Sequence, residues 1–391
     1  MPPSDNGQST SAVREGMQLD VDKLLAYLRA HMPSSAPLVE PVVVKQFEHG
    51  QSNPTYFLQD AAGNRYVLRK KPPGALLSAT AHAVEREFRI LNALGRHSNV
   101  PVPAVYALCE DKEVLGTPFY VMQFLEGRIF TDNLLRSVQG DRKAYYYSII
   151  DTIAKLHKAP YKEIGLSSYG KPGNFYPRQL ARLTQVSASQ AAVTDSAGVP
   201  VGALYNLPAS SAWFTANLPA DEVSLCHGDF KLDNVVFHNH DPRVIGVLDW
   251  ELSTVGHPLS DLANLLLPWY TPPGNFGADL SLMNEKRPLP VPEAEDMLKV
   301  YCEKVGRPYP IPGWNFCVAF AFFRLAVITQ GVAARMKRKQ ASSAKAAAAA
   351  SLFQPCAKRV AQIAATGSLF ELITPPPEQQ QGPAGAPVPK L

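Results

Sequence analysis

Apolar residues recur with two different spacings along the chain, and the two spacings occupy different regions. Between residues 19 and 30 they return every three or four positions and a proline follows, which predicts a helix. Further on, short apolar runs separated by turn-forming segments predict strands at 42–47, 55–59, 65–69, 100–106 and 118–123. Helical spacing over 82–94 follows the third strand. This part of the chain therefore predicts a small α+β lobe of five strands with one inserted helix.

The remainder of the chain is dominated by helical spacing. The predicted helices are 145–157, 259–267, 294–305, 315–336 and 351–365. Residues 125–127 interrupt the pattern and are the predicted hinge between two lobes. We therefore expect a disordered tail at 1–17, an N-lobe at 18–124, a mainly helical C-lobe at 125–368 with a loose insertion at 184–203, and a disordered Pro/Gln-rich tail at 369–391.

Composition excludes several classes of partner. The net charge of +4 over 391 residues includes no basic block large enough to predict a nucleic-acid partner. No apolar run reaches about 18 residues, so no membrane span is expected. The N-terminal segment has the pattern of neither a secretory nor a mitochondrial signal. Scattered cysteines favour reduced thiols in an intracellular compartment; they are Cys109, Cys226, Cys302, Cys317 and Cys356.

The strongest chemical signal lies between residues 223 and 252. His227, Asp229 and Asn234 fall in one polar loop, and Asp249 ends an apolar run fifteen residues after the asparagine. This H-x-D-x-x-x-x-N pattern with a later aspartate is typical of kinase-type phosphoryl transfer. It predicts Asp229 as the catalytic base and predicts Asn234 and Asp249 as Mg²⁺ ligands, because amide and carboxylate oxygens are hard donors. The alternative interpretation is that these are ordinary turn and strand-end residues.

Other residues of the same stretch admit two roles. We interpret His227 as a structural residue that braces the loop, in preference to a proton shuttle. Lys231 lies where protein kinases carry a catalytic-loop lysine and is a candidate contact for the transferred phosphate, or else an exposed loop lysine. Asp261 begins a predicted helix and is interpreted as a cap, without a catalytic role.

ATP requires a cation at its phosphates, and the third predicted strand supplies candidates. Arg69 ends this strand where kinases place their lysine, and strand alternation places Lys71 on the same side. Glu87, on the following helix, is the predicted ion-pair partner, although an ordinary surface charge cluster is the alternative. A loop with a single glycine precedes the second strand; its candidate phosphate-covering residues are Gly50, Ser52 and Asn53.

Taken together, these strings resemble the aminoglycoside phosphotransferase (choline-kinase-like) superfamily. The stretch H-G-D-F-K-L-D-N matches its signature motif, and F-E-H-G-Q-S-N-P-T-Y, Y-V-L-R-K-K-P-P-G and V-L-D-W-E-L-S-T-V-G resemble a narrower branch. That branch is the kinase-like domain that many animals fuse to an acyl-CoA dehydrogenase, and the resemblance covers roughly residues 20–365. No dehydrogenase part follows here, so a stand-alone kinase is expected.

The resemblance implies a bilobal protein-kinase-like fold that uses ATP and Mg²⁺. It implies Asp229 as base, Asn234 and Asp249 as metal ligands, and backbone groups of Gln123 and Leu125 as adenine contacts. Arg69 departs from the usual lysine, and whether Arg69 or Lys71 contacts the phosphates stays open.

The implied acceptor is a small-molecule hydroxyl, first a hydroxyacyl-CoA or hydroxy acid of fatty-acid breakdown. The alternatives are an amino-alcohol or aminoglycoside kinase and a nucleotide-binding pseudokinase without turnover. A protein kinase is disfavoured because the chain has neither D-F-G nor A-P-E.

The last three residues, Pro389-Lys390-Leu391, come close to the peroxisomal S-K-L signal, although proline departs from it. They predict a peroxisomal import receptor as a partner. The expected location is the peroxisome or the cytosol.

Overall fold

A computed structural model describes residues 8–47, 53–72, 83–274, 276, 281–283, 285–340 and 344–370. Within these residues an antiparallel sheet comes first and a largely helical region follows. The α+β class predicted from the apolar spacing is confirmed. The predicted phosphate-covering residues Gly50 and Ser52 lie outside the described residues, as does the C-terminal tripeptide.

The N-terminal sheet is built from strands β1 to β6. In the described part of the chain these are β1 (Thr10–Ser11), β2 (Val43–Phe47), β3 (Thr55–Gln59), β4 (Arg65–Lys70), β5 (Val105–Cys109) and β6 (Phe119–Gln123). Their order in the sheet is β1-β2-β3-β4-β6-β5, and every neighbouring pair is antiparallel. Helices α1 (Val21–His31), α2 (Val84–His97) and α3 (Lys112–Leu115) accompany it.

The alternation of side chains along β4 explains how the sheet is covered. Leu68 points to a cluster that includes Leu24 and Leu28 of α1. Val67 instead joins the main core together with Ile90 of α2. Because successive residues of a strand face opposite sides, Arg69 shares the α2 side with Val67. The alternation thus directs the Arg69 side chain toward α2, which carries its predicted partner Glu87.

In the part of the chain that the structure describes, the sheet has six strands where five were predicted, and two further predictions about this lobe are wrong. Residues 8–17 are not an unstructured tail, because β1 pairs with β2 and the backbone N–H of Arg14 donates to the side chain of Gln46. The strand predicted at 100–106 begins later, at Val105. Prolines at 101 and 103 explain the shift, since proline cannot donate to a ladder hydrogen bond.

The described helices of the second region are α4 (Lys143–Lys158), α5 (Phe175–Ala191), α6 (Leu207–Ala216), α7 (Leu259–Tyr270), α8 (Ala294–Val305), α9 (Trp314–Lys337), α10 (Ala344–Ala350) and α11 (Phe353–Thr366). Helix α9 lies at the centre and packs against α5, α7, α10 and α11. By length and composition α9 could cross a membrane, but 72% of its apolar window is buried inside the protein. It is therefore the core helix of this region.

The interpretation of residues 184–203 as a loose insertion is wrong, because Thr194 and Pro200 form a β-bridge and Asp195 pairs with Lys337 of α9 at 2.7 Å. Residues 184–191 belong to α5, and buried Ser187 donates to Gln330 of α9 at 2.7 Å. Small residues here allow α5 to approach α9 closely, so their function is packing. The beginning of the predicted C-terminal tail is also ordered, because the carbonyl of Leu369 accepts a hydrogen bond from Arg359.

The chain leaves β6 and crosses to the helical region through residues 124–127. There Gly127 lies against a hairpin of β8 (Val235–Phe237) and β9 (Val244–Val247), which follow β7 (Ser224–Cys226). A Cβ atom at Gly127 would lie 2.3 Å from the carbonyl oxygen of Phe237, so only glycine fits. This contact fixes the sheet next to the hairpin that carries the candidate site.

Candidate active site

The catalytic-loop candidate begins immediately after β7, which pairs with β10 (Thr254–Gly256). Gly228 has a φ of +85°, and a Cβ atom there would lie 2.3 Å from the carbonyl oxygen of Leu252. Glycine is therefore required at this position for two reasons, because the backbone has a positive φ and because there is no room for a side chain. The tight turn presents Asp229, whose side chain keeps 28% of its surface exposed.

His227 braces this turn. Its side chain is fully buried, and its Nδ1 accepts a hydrogen bond from the backbone N–H of Asp229 at 3.2 Å. Because Nδ1 accepts, the ring proton is on Nε2, which donates to the carbonyl of Leu248 at 2.8 Å. The imidazole thus connects the loop to the segment leading to Asp249, which is the arrangement expected of a structural histidine.

Asp261 anchors the same turn, and its interpretation as a helix cap is wrong. Its carboxylate accepts from the backbone N–H of His227 at 2.6 Å and from that of Gly228 at 2.9 Å. Burial opposes its ionisation, but nearby His157 and the Gly228 amide outweigh burial and lower the pKa of Asp261. An aspartate in the first turn of a helix is common for its dipole effect, so the local sequence carries no signal of this role.

Asn234 and Asp249 lie at the two ends of the β8–β9 hairpin. The Asn234 amide donates to the backbone carbonyl of Asp229 at 2.9 Å and to its Oδ2 at 3.2 Å. Asp249 adopts a left-handed conformation with φ of +65°, which aspartate tolerates better than most residues. The hairpin therefore brings the two predicted metal ligands, Asn234 and Asp249, to one cleft, and the Asn234 amide holds Asp229 beside them.

The donor set of these residues fits Mg²⁺. The described residues contain no group of three or more histidine, cysteine, aspartate or glutamate side chains that could hold a metal alone. Mg²⁺ in phosphoryl-transfer sites typically takes only one or two carboxylates from the protein and completes its shell with phosphates and water. The Asn234 amide nitrogen is occupied by Asp229, so its oxygen is the atom that would serve as a ligand.

Arg69 connects the sheet to this hairpin. Its Nη1 lies 3.0 Å from Oε2 of Glu87, which forms the predicted ion pair, and its Nη2 lies 3.1 Å from Oδ1 of Asp249. Burial disfavours the charge, but these carboxylates outweigh it and raise the pKa of Arg69. A lysine could not span both acids in this way, because only guanidinium offers a rigid fork of donors.

Two predicted nucleotide contacts have different partners. Asn53 is fully buried and donates to Oε1 of Glu87 at 2.9 Å, so it orients that glutamate and does not cover phosphates. Lys71 pairs with Glu85 at 2.9 Å, and Arg69, but not Lys71, lines the cleft that lies between the sheet and the β8–β9 hairpin. Lys71 differs from the prediction because it lies just beyond the end of β4, where strand alternation no longer applies.

Lys231 lines the same cleft, and its ammonium group lies between two carboxylates. Its Nζ lies 3.5 Å from Oδ2 of Asp229 and 3.2 Å from Oδ2 of Asp233. Partial burial disfavours the ammonium, but the two carboxylates outweigh it and raise the pKa of Lys231. The side chain is thus a cation next to the predicted base.

A cleft of about 430 Å³ joins the sheet, the crossing segment and the hairpin. Gln123 and Leu125 line it, but two of their backbone groups are already engaged. The N–H of Gln123 donates to the carbonyl of Ala104 at 2.7 Å, and the carbonyl of Leu125 accepts from Nε2 of Gln8 at 3.1 Å. Gln8, which sequence reasoning had assigned to a disordered tail, is therefore part of the cleft wall.

Arg324 of α9 also reaches the catalytic turn and was missed by sequence reasoning. One end of its guanidinium donates to the carbonyl of Gly228, and Nη1 lies 3.5 Å from Oδ1 of Asn264. No carboxylate pairs with Arg324 among the described residues. An arginine near the middle of an apolar helix gives no indication that its partner lies 96 residues earlier.

With this geometry, comparison with known proteins identifies the class. Residues 43–293 match the model of the phosphotransferase enzyme family, and the chain belongs to that family. It is a small-molecule kinase with the bilobal kinase-like fold. The curated relatives include mouse acyl-CoA dehydrogenase family member 11, 39% identical over 386 residues, and mouse family member 10, 39% identical over 341 residues.

These matches cover 96% and 86% of the chain, but only 46% and 30% of the respective relatives. The chain therefore spans less than half the length of these relatives. Among solved structures, a Ralstonia eutropha protein provisionally described as an aminoglycoside phosphotransferase is 37% identical, with a TM-score of 0.75 and coverage of 89% of this chain and 99% of that one. A ternary complex of aminoglycoside phosphotransferase APH(4)-Ia with ADP and hygromycin B shares the fold, with 14% identity, a TM-score of 0.53 and coverage of 88% and 99%.

Proposed function

We propose that the chain transfers the γ-phosphate of ATP to the hydroxyl of a hydroxyacyl-CoA or a hydroxy acid. The observation that carries the transfer chemistry is the free oxygen of Asp229. Its Oδ2 contacts Asn234 and Lys231, whereas no partner of its Oδ1 is found in the described part of the chain. An acceptor hydroxyl can therefore approach Oδ1 while the rest of the carboxylate is held in place.

The residues suggest a simple sequence of events. Asp229 accepts the proton of the acceptor hydroxyl as the oxygen of that hydroxyl forms a bond to the γ-phosphorus, and the bond from phosphorus to the bridging oxygen of ADP breaks. Lys231 and Arg69 supply positive charge on either side of the cleft. Mg²⁺, held by Asn234 and Asp249, would offset the negative charge of the phosphates.

The choice of acceptor rests on the surface around the catalytic turn. Arg324 provides a cation without a carboxylate partner in the described chain, and Leu252, beside Gly228, is 50% exposed. An aminoglycoside is a polycation and would favour an acidic wall. A single arginine without a carboxylate partner, together with an exposed leucine, instead suits an acyl chain with a carboxylate or thioester group. The printed names of the curated relatives, acyl-CoA dehydrogenase family members, point to the same class.

A screen of acceptors tests this proposal. ADP release would be followed with Mg²⁺-ATP and 3- or 4-hydroxyacyl-CoAs, free hydroxy acids, choline or aminoglycosides. We expect stimulation by the hydroxy acids or their thioesters, and its loss in Asp229→Asn with ATP binding retained. Stimulation by choline or an aminoglycoside alone would favour the alternative function, an amino-alcohol or aminoglycoside kinase. Tight nucleotide binding without stimulation by any acceptor would indicate a pseudokinase.

We also propose the location of the protein, which is the peroxisome or the cytosol. The tripeptide Pro389-Lys390-Leu391, on which this depends, lies outside the described residues. Support comes only from the similarity of this tripeptide to an import signal. A fluorescent protein carrying residues 371–391 at its C-terminus would be imaged with and without Leu391. Peroxisomal import that depends on Leu391 would support the import-receptor partner, and diffuse fluorescence in both cases would favour the cytosol.

A further inference from the structure

We propose that one face of α9 binds the coenzyme A portion of the acceptor, from Arg324 at the catalytic turn to Arg335 and Arg338 at the end of the helix. This inference rests on the proposed function, because it specifies how a thioester acceptor would be held. It adds a phosphate-binding region and an intermediate contact, both outside the cleft described above.

The three arginines share one face of the helix. At about 100° per residue, Arg324, Ile328, Arg335 and Arg338 fall within a stripe roughly 80° wide. Arg335 lies about 16 Å and Arg338 about 21 Å along the helix from Arg324, at a rise of about 1.5 Å per residue. Ile328 is 46% exposed, and Arg335 and Arg338 are exposed. The stripe therefore starts at the catalytic turn and ends in a pair of accessible cations.

The charges at the far end are available to a ligand. No ion pair of Arg335 or Arg338 is found in the part of the chain that the structure describes, whereas Lys337, on another face of the same turn, pairs with Asp195 at 2.7 Å. A helix C-terminus favours cations by itself, so the charges alone do not identify a ligand. Their alignment with Arg324, which also has no carboxylate partner in the described chain, is the additional observation.

A polar contact lies between the two ends. Gly331 belongs to the same stripe, and a Cβ atom there would lie 2.6 Å from Nε2 of Gln190. The amide group of Gln190 therefore packs against α9 within the stripe. The Oε1 of Gln190 is buried and has no hydrogen-bond partner among the described residues. A buried acceptor without a donor is unfavourable, and an amide N–H from a ligand would satisfy it.

Coenzyme A matches this order of features. Its thioester end would lie near Arg324, the amide groups of its pantetheine arm would pass Ile328 and Gln190, and its phosphates would meet Arg335 and Arg338. Guanidinium suits phosphate recognition because its fork of donors matches two phosphate oxygens. A free hydroxy acid reaches only the first of these contacts.

The test uses the full chain and two measurements. Coenzyme A itself is titrated calorimetrically, and KM is measured for a hydroxyacyl-CoA and for its free hydroxy acid. In the double variant Arg335→Gln/Arg338→Gln we expect the Kd of coenzyme A and the KM of the thioester to rise about fivefold or more. The KM of the free acid should rise by a clearly smaller factor. Lys337→Gln removes a neighbouring charge from another face and should leave the Kd of coenzyme A at the parental value.

The outcomes separate this inference from the proposed function. Phosphorylation of the thioester with parental KM and Kd in the double variant would overturn the inference and leave the proposed function intact. If no acceptor is phosphorylated, the proposed function fails. The calorimetric titration then still shows whether coenzyme A binds at Arg335 and Arg338. Absence of coenzyme A binding to the parental chain, or binding that is equal in the double variant, overturns the inference.

Discussion

Replacing Asp261 with alanine should loosen the catalytic turn from a distance. The side chain is 1% exposed and accepts from two backbone N–H groups, those of His227 and Gly228. A buried donor left without an acceptor costs about 1–3 kcal/mol. Two such donors predict a loss of roughly 2–6 kcal/mol in the free energy of unfolding for Asp261→Ala. Because His227 also positions the Asp229 amide, kcat should fall more than KM rises.

Urea unfolding followed by tryptophan fluorescence measures the first effect, since Trp250 packs against His227 with ring centroids 4.7 Å apart. Asp151→Ala is the matched control. Asp151 also has two close partners, Lys155 and Lys304 at 2.7 Å each, but it lies at the surface and should change stability by less than about 1 kcal/mol. A loss below about 1 kcal/mol in Asp261→Ala, with parental kcat, would refute the anchoring role.

Three further predictions concern the same site. Gly228→Ala combines a positive φ with a Cβ atom 2.3 Å from the Leu252 carbonyl, so it should lower the free energy of unfolding by about 2–5 kcal/mol in the same urea assay; a loss under about 1 kcal/mol would contradict this. Arg69→Lys should raise the KM for Mg²⁺-ATP about tenfold, because lysine reaches only one of the two acids that the guanidinium spans; an unchanged KM would show that the fork is not needed. The lowered pKa of Asp261 means that its stabilisation is present above the ordinary aspartate pKa of about 3.9 and is lost as pH falls through the lower folded value. The difference in unfolding free energy between the parent and Asp261→Asn should therefore be constant from about pH 5 to 8 and shrink below about pH 4, and a difference that grows in acid would be inconsistent with this sign.

Local patterns determined a large part of this protein. Apolar spacing predicted α8 at its observed bounds, Ala294–Val305, and placed most other helices within a few residues, because a helix that packs on a core must repeat its apolar face every turn. The spacing of Asp229, Asn234 and Asp249 indicated phosphoryl transfer, since a loop and a short hairpin bring such residues together without long-range contacts. Arg69 and Glu87 followed from the phase of one strand and the next helix.

Only the tertiary structure decided what holds and surrounds these residues. Asp261, Arg324 and Gln8 each contact the site through a backbone group, of Gly228 or Leu125, and a backbone partner leaves no mark on the sequence of the distant segment. Asn53 shows the converse, because a residue typical of a phosphate loop is buried on Glu87 instead. The sequence by itself indicated the class of reaction, because the residues of its motif, Asp229, Asn234 and Asp249, are close along the chain. The positioning of those groups depends on contacts between segments that are far apart in sequence, so the fold alone determined it.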